Sequence, residues 1–202
     1  SNASKNTYPN LGPPSIGQVL SDYAIDFIQR NKEKPFFLYY PMLLVHDPFV
    51  PTPDSEEWNN PNLRYKKNNI FFKDMVEYMD KIVGKIIQEI KALGLEDNTL
   101  IIFLGDNGTN RTLVTKTVNG DVKGAKGNTI THGVHVPMIA SWPSKIKKPI
   151  IYDGVVDLTD FYATFSDILN VSNDSDGKSL THIFYGNKKN IRETVTIYYD
   201  PK

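Results

Sequence analysis

The 202-residue sequence contains no cysteine, and this absence removes three kinds of chemistry. Disulfide bonds, metal sites built on thiolates and a cysteine nucleophile are all excluded. The sequence also carries no net charge, because 23 lysine and arginine residues balance 23 aspartate and glutamate residues. Without a long-range positive field, binding to nucleic acid or to an anionic membrane is disfavoured.

The sequence also lacks long apolar runs. None approaches the roughly 18 residues that a transmembrane helix needs, so no membrane span is predicted. The length and the 40% hydrophobic content fit one domain of ordinary size with its own core. Residues 1–3, Ser-Asn-Ala, are interpreted as a scar left by expression, and the natural protein is therefore expected to extend upstream.

Apolar spacing divides the first half of the chain into alternating helices and strands. Residues 16–31 and 69–93 each place apolar side chains on one helical face, and Gly94 follows the second helix at a typical C-cap position. Residues 35–43, "PFFLYYPML", and residues 99–104 are predicted as buried strands.

The second half continues the alternation after a long polar loop over residues 108–133. Short strands are predicted at 136–143, "VPMIASWP", and at 154–158, "GVVDL", followed by a helix at 159–170. This order predicts an α/β fold that forms part of a doubly wound, mostly parallel sheet flanked by helices.

Three polar side chains follow two of the predicted strands. His46 comes after the strand at 35–43, and Asp106 and Asn107 come after the strand at 99–104. In open parallel sheets, ligands bind beyond the carboxyl ends of the strands. If the two strands are parallel, these three side chains lie at the same edge of the sheet.

Asp106 and Asn107 offer oxygen ligands that suit a hard divalent cation. Two such donors are too few for calcium, so further ligands would have to come from elsewhere. Gly105 and Gly108 on either side are expected to let the backbone turn sharply. The alternative is a simple turn at the strand end, in which both side chains cap their own backbone.

Three motifs together resemble the sulfatase family, of arylsulfatase type, in the alkaline phosphatase superfamily. They are "HDPFVP", the helix–strand block "MVEYMDKIVGKIIQEIKALGLEDNTLIIFLGDNG" and "KGNTITHGVHVP". The resemblance covers roughly residues 35–170. It departs from the family pattern at residues 131–135, where Thr-His-Gly-Val-His replaces the more usual Glu-Gly-Gly-x-Arg.

The resemblance implies a calcium ion and a formylglycine hydrate nucleophile made from the Cys or Ser of a Cys/Ser-x-Pro-x-Arg motif. It also implies that Asp106 and Asn107 are metal ligands, and that His46 and Lys126 are catalytic residues that contact the sulfate. The implied substrate is a sulfated small molecule or glycan. The family suggests a periplasmic or secreted protein.

The implied nucleophile is missing, because the chain has no cysteine and no serine in a Ser-x-Pro-x-Arg setting. The chain is therefore expected to be an internal fragment that is inactive alone. Its predicted parts are a lead-in segment with a helix at 4–34, a partial sulfatase catalytic domain at 35–175 and the start of a truncated C-terminal region at 176–202. Uncovered apolar surface predicts that such a fragment can self-associate.

Two other functions remain open from the sequence. A metal site with Asp, Asn and His would equally serve a phosphate-ester hydrolase or phosphotransferase of the same superfamily. The departure at residues 131–135 also allows a non-catalytic binding module. His132 and His135 are assigned a structural role, because their counterparts in the family differ.

Overall fold

The computed structural model describes residues 15–198. The scar at 1–3, the residues of the lead-in segment before position 15 and the last four residues lie outside this described part. Contacts group the chain into two units, one ending at Leu95 and the other beginning at Glu96. Within residues 15–198, no helix combines the length and apolar character that a bilayer crossing requires.

Two helices build the first unit, and both agree with the sequence prediction. Helix α1 spans Ile16–Asn31, and the hydroxyl of Ser15 caps it by accepting a hydrogen bond of 3.1 Å from the amide of Gln18. Helix α2 spans Phe71–Ala92. It ends where Gly94 takes a φ of 69° and donates its amide to Lys91, as a glycine C-cap requires. Buried residues on the two helices pack together: Ala24, Ile28, Met75 and Ile82.

The segment at 35–43 is not the buried strand that the sequence predicts. Its residues alternate between half-buried and exposed, as in a strand, but no β-ladder within residues 15–198 includes it. Tyr39 and Leu43 are 76% and 53% exposed on one side of the segment. The alternation of apolar residues is present as predicted, but a strand also needs a ladder with a neighbouring segment, and no ladder within residues 15–198 includes this one.

This exposed side predicts self-association through segment 35–43. An extended segment that belongs to no ladder and exposes apolar side chains can associate with a second copy. Lysine at both positions 39 and 43 should shift the chain toward monomer without altering its helices. Sedimentation velocity over a range of protein concentrations measures this, with Tyr65→Lys, an exposed tyrosine outside the segment, as the control. Unchanged sedimentation of the double variant would contradict the prediction.

Within its described residues, the second unit has four strands and three α-helices, preceded by a short 3-10 helix at Glu96–Asn98. Strands β1 (Ile101–Leu104) and β4 (Met138–Ser141) pair antiparallel, with Ile101 opposite Ser141. Strands β2 (Val114–Thr117) and β3 (Gly120–Lys123) form a separate antiparallel hairpin. The helices are α3 (Thr131–Val134), α4 (Asp160–Ile168) and α5 (Thr181–Phe184).

The sheet differs from the prediction in three ways. The pairing of β1 with β4 is antiparallel, and the parallel pairing is not formed among residues 15–198. Residues 154–158 form no strand, again for want of a ladder partner. The polar loop at 108–133 contains the β2–β3 hairpin and α3, which were not predicted. The strands at 99–104 and 136–143 and the helix at 159–170 are confirmed with shorter bounds.

The core of the second unit brings residues near the C-terminus against β1 and β4. Trp142, Leu180, Ile183 and Phe184 are buried together. Asp167 on α4 accepts hydrogen bonds from the hydroxyls of Ser179 and Thr181, which lower the pKa of its carboxyl group. These contacts hold the start of α5 against α4.

Candidate functional site

Asp106 and Asn107 lie at the surface just beyond the end of strand β1. The backbone is fixed on both sides of the pair, because Gly105 donates its amide to Pro137 at 3.1 Å and Gly108 donates to Gly133 at 2.9 Å. Both side chains are exposed, and neither makes a hydrogen bond or ion pair within residues 15–198. Their oxygen atoms are therefore free to bind a ligand.

The alternative interpretation was a turn in which Asp106 and Asn107 cap their own backbone. In the structure, Asn110 shows that capping geometry. The side-chain oxygen of Asn110 accepts hydrogen bonds of 2.9 Å from both the amide and the hydroxyl of Thr112. This is the local capping geometry that asparagine favours in turns. Asp106 and Asn107 make no such contact among the described residues. The turn is thus capped by Asn110, and the side chains of Asp106 and Asn107 take no part in capping it.

The glycines around this turn are needed for close approach, not for a sharp bend. Neither Gly105 nor Gly108 has a positive φ, so the expected conformational reason is wrong. A Cβ atom on Gly108 would lie 2.1 Å from the carbonyl oxygen of His132. A Cβ atom on Gly124 or Gly133 would likewise lie 2.1 Å from the carbonyl oxygen of Asn110 or Asn128. Three backbone segments therefore pack directly against one another here.

Substituting Gly108 by alanine is expected to disrupt this packing. The added methyl group has no space, so the second unit should lose about 1–3 kcal/mol of stability, as in other overpacked sites. Gly84, in the middle of α2, has no atom within 4 Å of an added Cβ. Gly84→Ala should instead stabilise its helix by roughly 0.5–1 kcal/mol. Hydrogen exchange of amides in β1 and α2 measures the two effects, and equal effects in both variants would contradict the packing argument.

Lys126 is held beside this turn by its backbone. Its amide donates to the carbonyl oxygen of Thr109 at 2.9 Å, three residues after Asp106. Arg111 fixes the same loop, because its Nε and Nη2 donate to the carbonyl oxygens of Lys126 and Gly127 at 2.6 and 2.9 Å. The Lys126 residue is half-buried, and its ammonium group makes no ion pair within residues 15–198. Its charge is available to an anionic ligand.

Arg111 was not found by sequence reasoning. An arginine in a polar loop carries no pattern of its own, and its role depends on which carbonyl oxygens the fold places within its reach. The β2–β3 hairpin could have been predicted from the sequence, because Asn119–Gly120 is a common turn pair in hairpins. Gly120 has a φ of 111° at that turn.

A shallow pocket of about 190 Å³ opens beside Asn107. One side is formed by residues 107–109, a second by the β2–β3 hairpin and a third by the segment from Thr131 to Pro137. His132 and His135 both line it, with exposed imidazoles that form no hydrogen bond within the described part of the chain. Both histidines thus line this pocket, and the structural role assigned to them stays a prediction.

His46 belongs to the first unit, where it lies between the cis peptide bonds Leu44–Val45 and Asp47–Pro48. Its Nδ1 is 2.6 Å from the carbonyl oxygen of Asp47 and 3.6 Å from the Asp47 carboxylate. Because a carbonyl oxygen only accepts, Nδ1 carries a proton and donates it. Nε2 is left for a ligand. The predicted meeting of His46 with Asp106 and Asn107 stays a prediction.

Asp106 and Asn107 have oxygen atoms of the kinds that bind a hard cation. A carboxylate and an amide oxygen, both without protein partners, are the ligand types that calcium and magnesium prefer. Calcium takes six to eight oxygen ligands. Within residues 15–198, no group of three or more His, Cys, Asp or Glu side chains could hold a metal ion. Asp106 and Asn107 therefore fit calcium in kind and supply part of the required number.

Comparison with known proteins gives a consistent result. A family model described as Sulfatase matches residues 2–171. The chain is 30% identical over 181 residues to human arylsulfatase H, covering 85% of this chain and 31% of that protein. It is 29% identical over 164 residues to N-acetylgalactosamine-6-O-sulfatase of Bacteroides thetaiotaomicron, covering 76% of this chain and 30% of that protein.

A solved structure supports the same relationship. It is that of Ps i-CgsB in complex with k-i-k-neocarrahexaose, with a TM-score of 0.69 and 29% identity, covering 87% of this chain and 39% of that one. The predicted α/β class is confirmed by this likeness. The chain spans about a third of the length of the two curated relatives.

Proposed function

The chain belongs to the sulfatase family, and we propose that it supplies part of the active site of a sulfuric ester hydrolase. The observation that carries the proposal is the group of unpartnered side chains on the second unit. Asp106, Asn107 and Lys126 are held on adjoining backbone segments with their functional groups free. The proposal assigns anion binding to Lys126 and cation binding to the oxygen atoms of Asp106 and Asn107.

Asp106 and Asn107 are proposed as two ligands of a calcium ion. A bound calcium ion would add positive charge beside the ester oxygens and so stabilise charge that develops during hydrolysis. The remaining ligands, and a formylglycine hydrate as nucleophile, are proposed to lie in parts of a longer polypeptide. This follows the family resemblance, and the absence of cysteine and of a Ser-x-Pro-x-Arg motif agrees with it.

Lys126 is proposed to bind the sulfate. Its main chain is anchored by Thr109 and by the two hydrogen bonds from Arg111. The anchored main chain limits the volume that the ammonium group can reach. Its charge favours the anionic ester, and it favours the transition state further as negative charge builds on the leaving oxygen.

His46 is proposed to contact the ester oxygen through Nε2. Because Nδ1–H is held by the Asp47 carbonyl, Nε2 of the neutral ring is an acceptor, and only the protonated ring can donate from it. A donating Nε2–H can then bind the anionic ester or the departing oxygen.

A sulfated sugar is the proposed substrate class. One curated relative is named for removing a 6-O-sulfate from N-acetylgalactosamine, and one structural neighbour is described in complex with an oligosaccharide. The exposed position of Asp106 and Asn107 agrees with a large substrate, since no deep cavity restricts access to them.

A comparison of two esters of one aryl alcohol tests the proposed reaction. A polypeptide of the relatives' length that includes this chain should hydrolyse the aryl sulfate in preference to the aryl phosphate. Lys126→Ala should lower sulfate turnover by about 10²-fold, the usual effect of losing one charge-stabilising group. Lys116→Ala, on the exposed β2 strand, is the control and should have no effect.

The 202-residue chain alone should hydrolyse neither ester, because it holds no nucleophile of the family type. Preference for the phosphate ester would instead indicate a phosphatase or phosphotransferase. Turnover of the aryl sulfate by the 202-residue chain, lost on Asp106→Ala, would show that the proposed division of the active site is wrong.

A further inference from the structure

The pocket beside Asn107 is lined by three nitrogen-bearing side chains that the proposed reaction does not use. Lys123 comes from the β2–β3 hairpin, and His132 and His135 come from the segment around α3. None of the residues that line this pocket is an aspartate or glutamate. The lining therefore offers nitrogen donors from a lysine and two imidazoles and carries no carboxylate.

All three groups are without protein partners in the part of the chain that the structure describes. The other two histidines differ in this respect: the Nδ1 of His46 is 2.6 Å from the Asp47 carbonyl oxygen, and the Nε2 of His182 is 3.3 Å from that of Lys189. Imidazoles that serve packing or capping usually find such acceptors. His132 and His135 instead face open space in a concave site next to a proposed metal ligand.

One wall of the pocket is the segment from Thr131 to Pro137. Its sequence differs from the family pattern. Where that pattern has a glutamate, this chain has Thr131, and where it has a glycine, this chain has His132. Thr131 itself lines the pocket. Where the pattern has an arginine, this chain has His135, so the changes remove one carboxylate and leave two imidazoles as the anion-binding groups of this segment.

The wall that carries these groups is rigid. Gly133 donates its amide to Ile130 at 2.8 Å, His135 donates to Thr131 at 2.8 Å, and Gly108 donates to Gly133 at 2.9 Å. Glycine at positions 108 and 133 allows these segments to approach so closely, because a Cβ atom at either position would meet backbone atoms. Pre-organised donors bind with a smaller loss of conformational freedom, which favours recognition at this position.

We propose that Lys123, His132 and His135 form a subsite for a second oxyanion, a sulfate or carboxylate, on the sugar that carries the scissile sulfate. This inference rests on the proposed function, because it takes the sulfate ester to be bound at Asp106, Asn107 and Lys126. The subsite selects multiply charged saccharides over singly charged ones. It contributes to specificity and takes no part in bond cleavage.

Binding to the 15N-labelled 202-residue chain tests the subsite without requiring turnover. The probes are three disaccharides with the same first sulfate and with a second sulfate, a uronic carboxylate or no second charge. The wild type should bind at least one doubly charged probe about five- to tenfold more tightly than the singly charged one, as expected for a partly exposed charge-assisted contact. The ring signals of His132 and His135 should shift with that probe.

Variants separate the subsite from the proposed active site. The double variant His132→Gln, His135→Gln should lose the preference, and His182→Gln should keep it. These imidazoles are exposed, so the substitutions should preserve the amide spectrum. Asp106→Ala should weaken the binding of all three disaccharides by a similar factor and leave the ratio between them unchanged, so a failed calcium site and a failed subsite give different results. A wild type without any preference, or a double variant that retains it, would overturn the inference.

Discussion

Asp106→Ala should lower kcat/KM for sulfate-ester hydrolysis by at least about 10³-fold in a polypeptide of the relatives' length that includes this chain. The carboxylate follows β1 on a backbone pinned by hydrogen bonds from Gly105 and Gly108. No other part of the described chain is bonded to it, so its removal should change ligand binding and leave the fold intact. Initial rates at several substrate concentrations measure the loss.

Asp121→Ala provides the matched control for this experiment. Asp121 is another exposed aspartate of the second unit, on β3, where it is paired in register with Lys116. Its loss removes the same charge from the protein at a position outside the pocket lining. Full activity of Asp121→Ala together with a severe loss in Asp106→Ala is expected. Full activity of Asp106→Ala would remove the proposed role of this residue.

Asp160→Ala should destabilise the second unit by about 3–5 kcal/mol, the usual cost of breaking a buried charge pair. The Asp160 carboxylate is fully buried and accepts hydrogen bonds from the amides of Asp157 and Lys178 at 2.9 and 2.7 Å. It also pairs with the guanidinium group of Arg192, which is 16% exposed. Alanine would leave a largely buried positive charge and two amide donors without an acceptor.

Hydrogen exchange of the β1 and β4 amides measures this loss within the second unit. Asp167→Ala on the same helix is the control. Asp167 also accepts two hydrogen bonds, from Ser179 and Thr181, but it is exposed, so water can replace them. Its removal should cost about 1 kcal/mol or less. Equal losses in the two variants would show that burial of Asp160 does not determine its contribution.

Local signals in the sequence identified the elements that depend on local chemistry. The apolar stripe of α2 and the glycine after it are sufficient to define a helix and its end, and the structure agrees at both points. The strand predicted at 35–43 has the right alternation of burial. It nevertheless forms no ladder, because pairing depends on a second segment that the pattern of one segment cannot specify.

In the candidate site, too, some features could be predicted from the local sequence and others depend on the fold. The residue types at 106 and 107 indicated a cation ligand pair, and the structure leaves both side chains free as that role requires. The reason for Gly108 was misassigned, because only the fold reveals that the His132 carbonyl oxygen occupies the space of a side chain. Arg111 and the free imidazoles of His132 and His135 likewise became visible only from their surroundings.

A calcium titration of the 15N-labelled 202-residue chain tests the central claim most directly. With two of its ligands present, the site should bind weakly, with a Kd of roughly 1 mM or above. Saturable shifts are expected at the amides of residues 105–108 and at the Asn107 side-chain amide. Asp106→Ala should abolish them, and Asp121→Ala should retain them. Shifts confined to residues of the first unit, or no shifts at all, would contradict the claim.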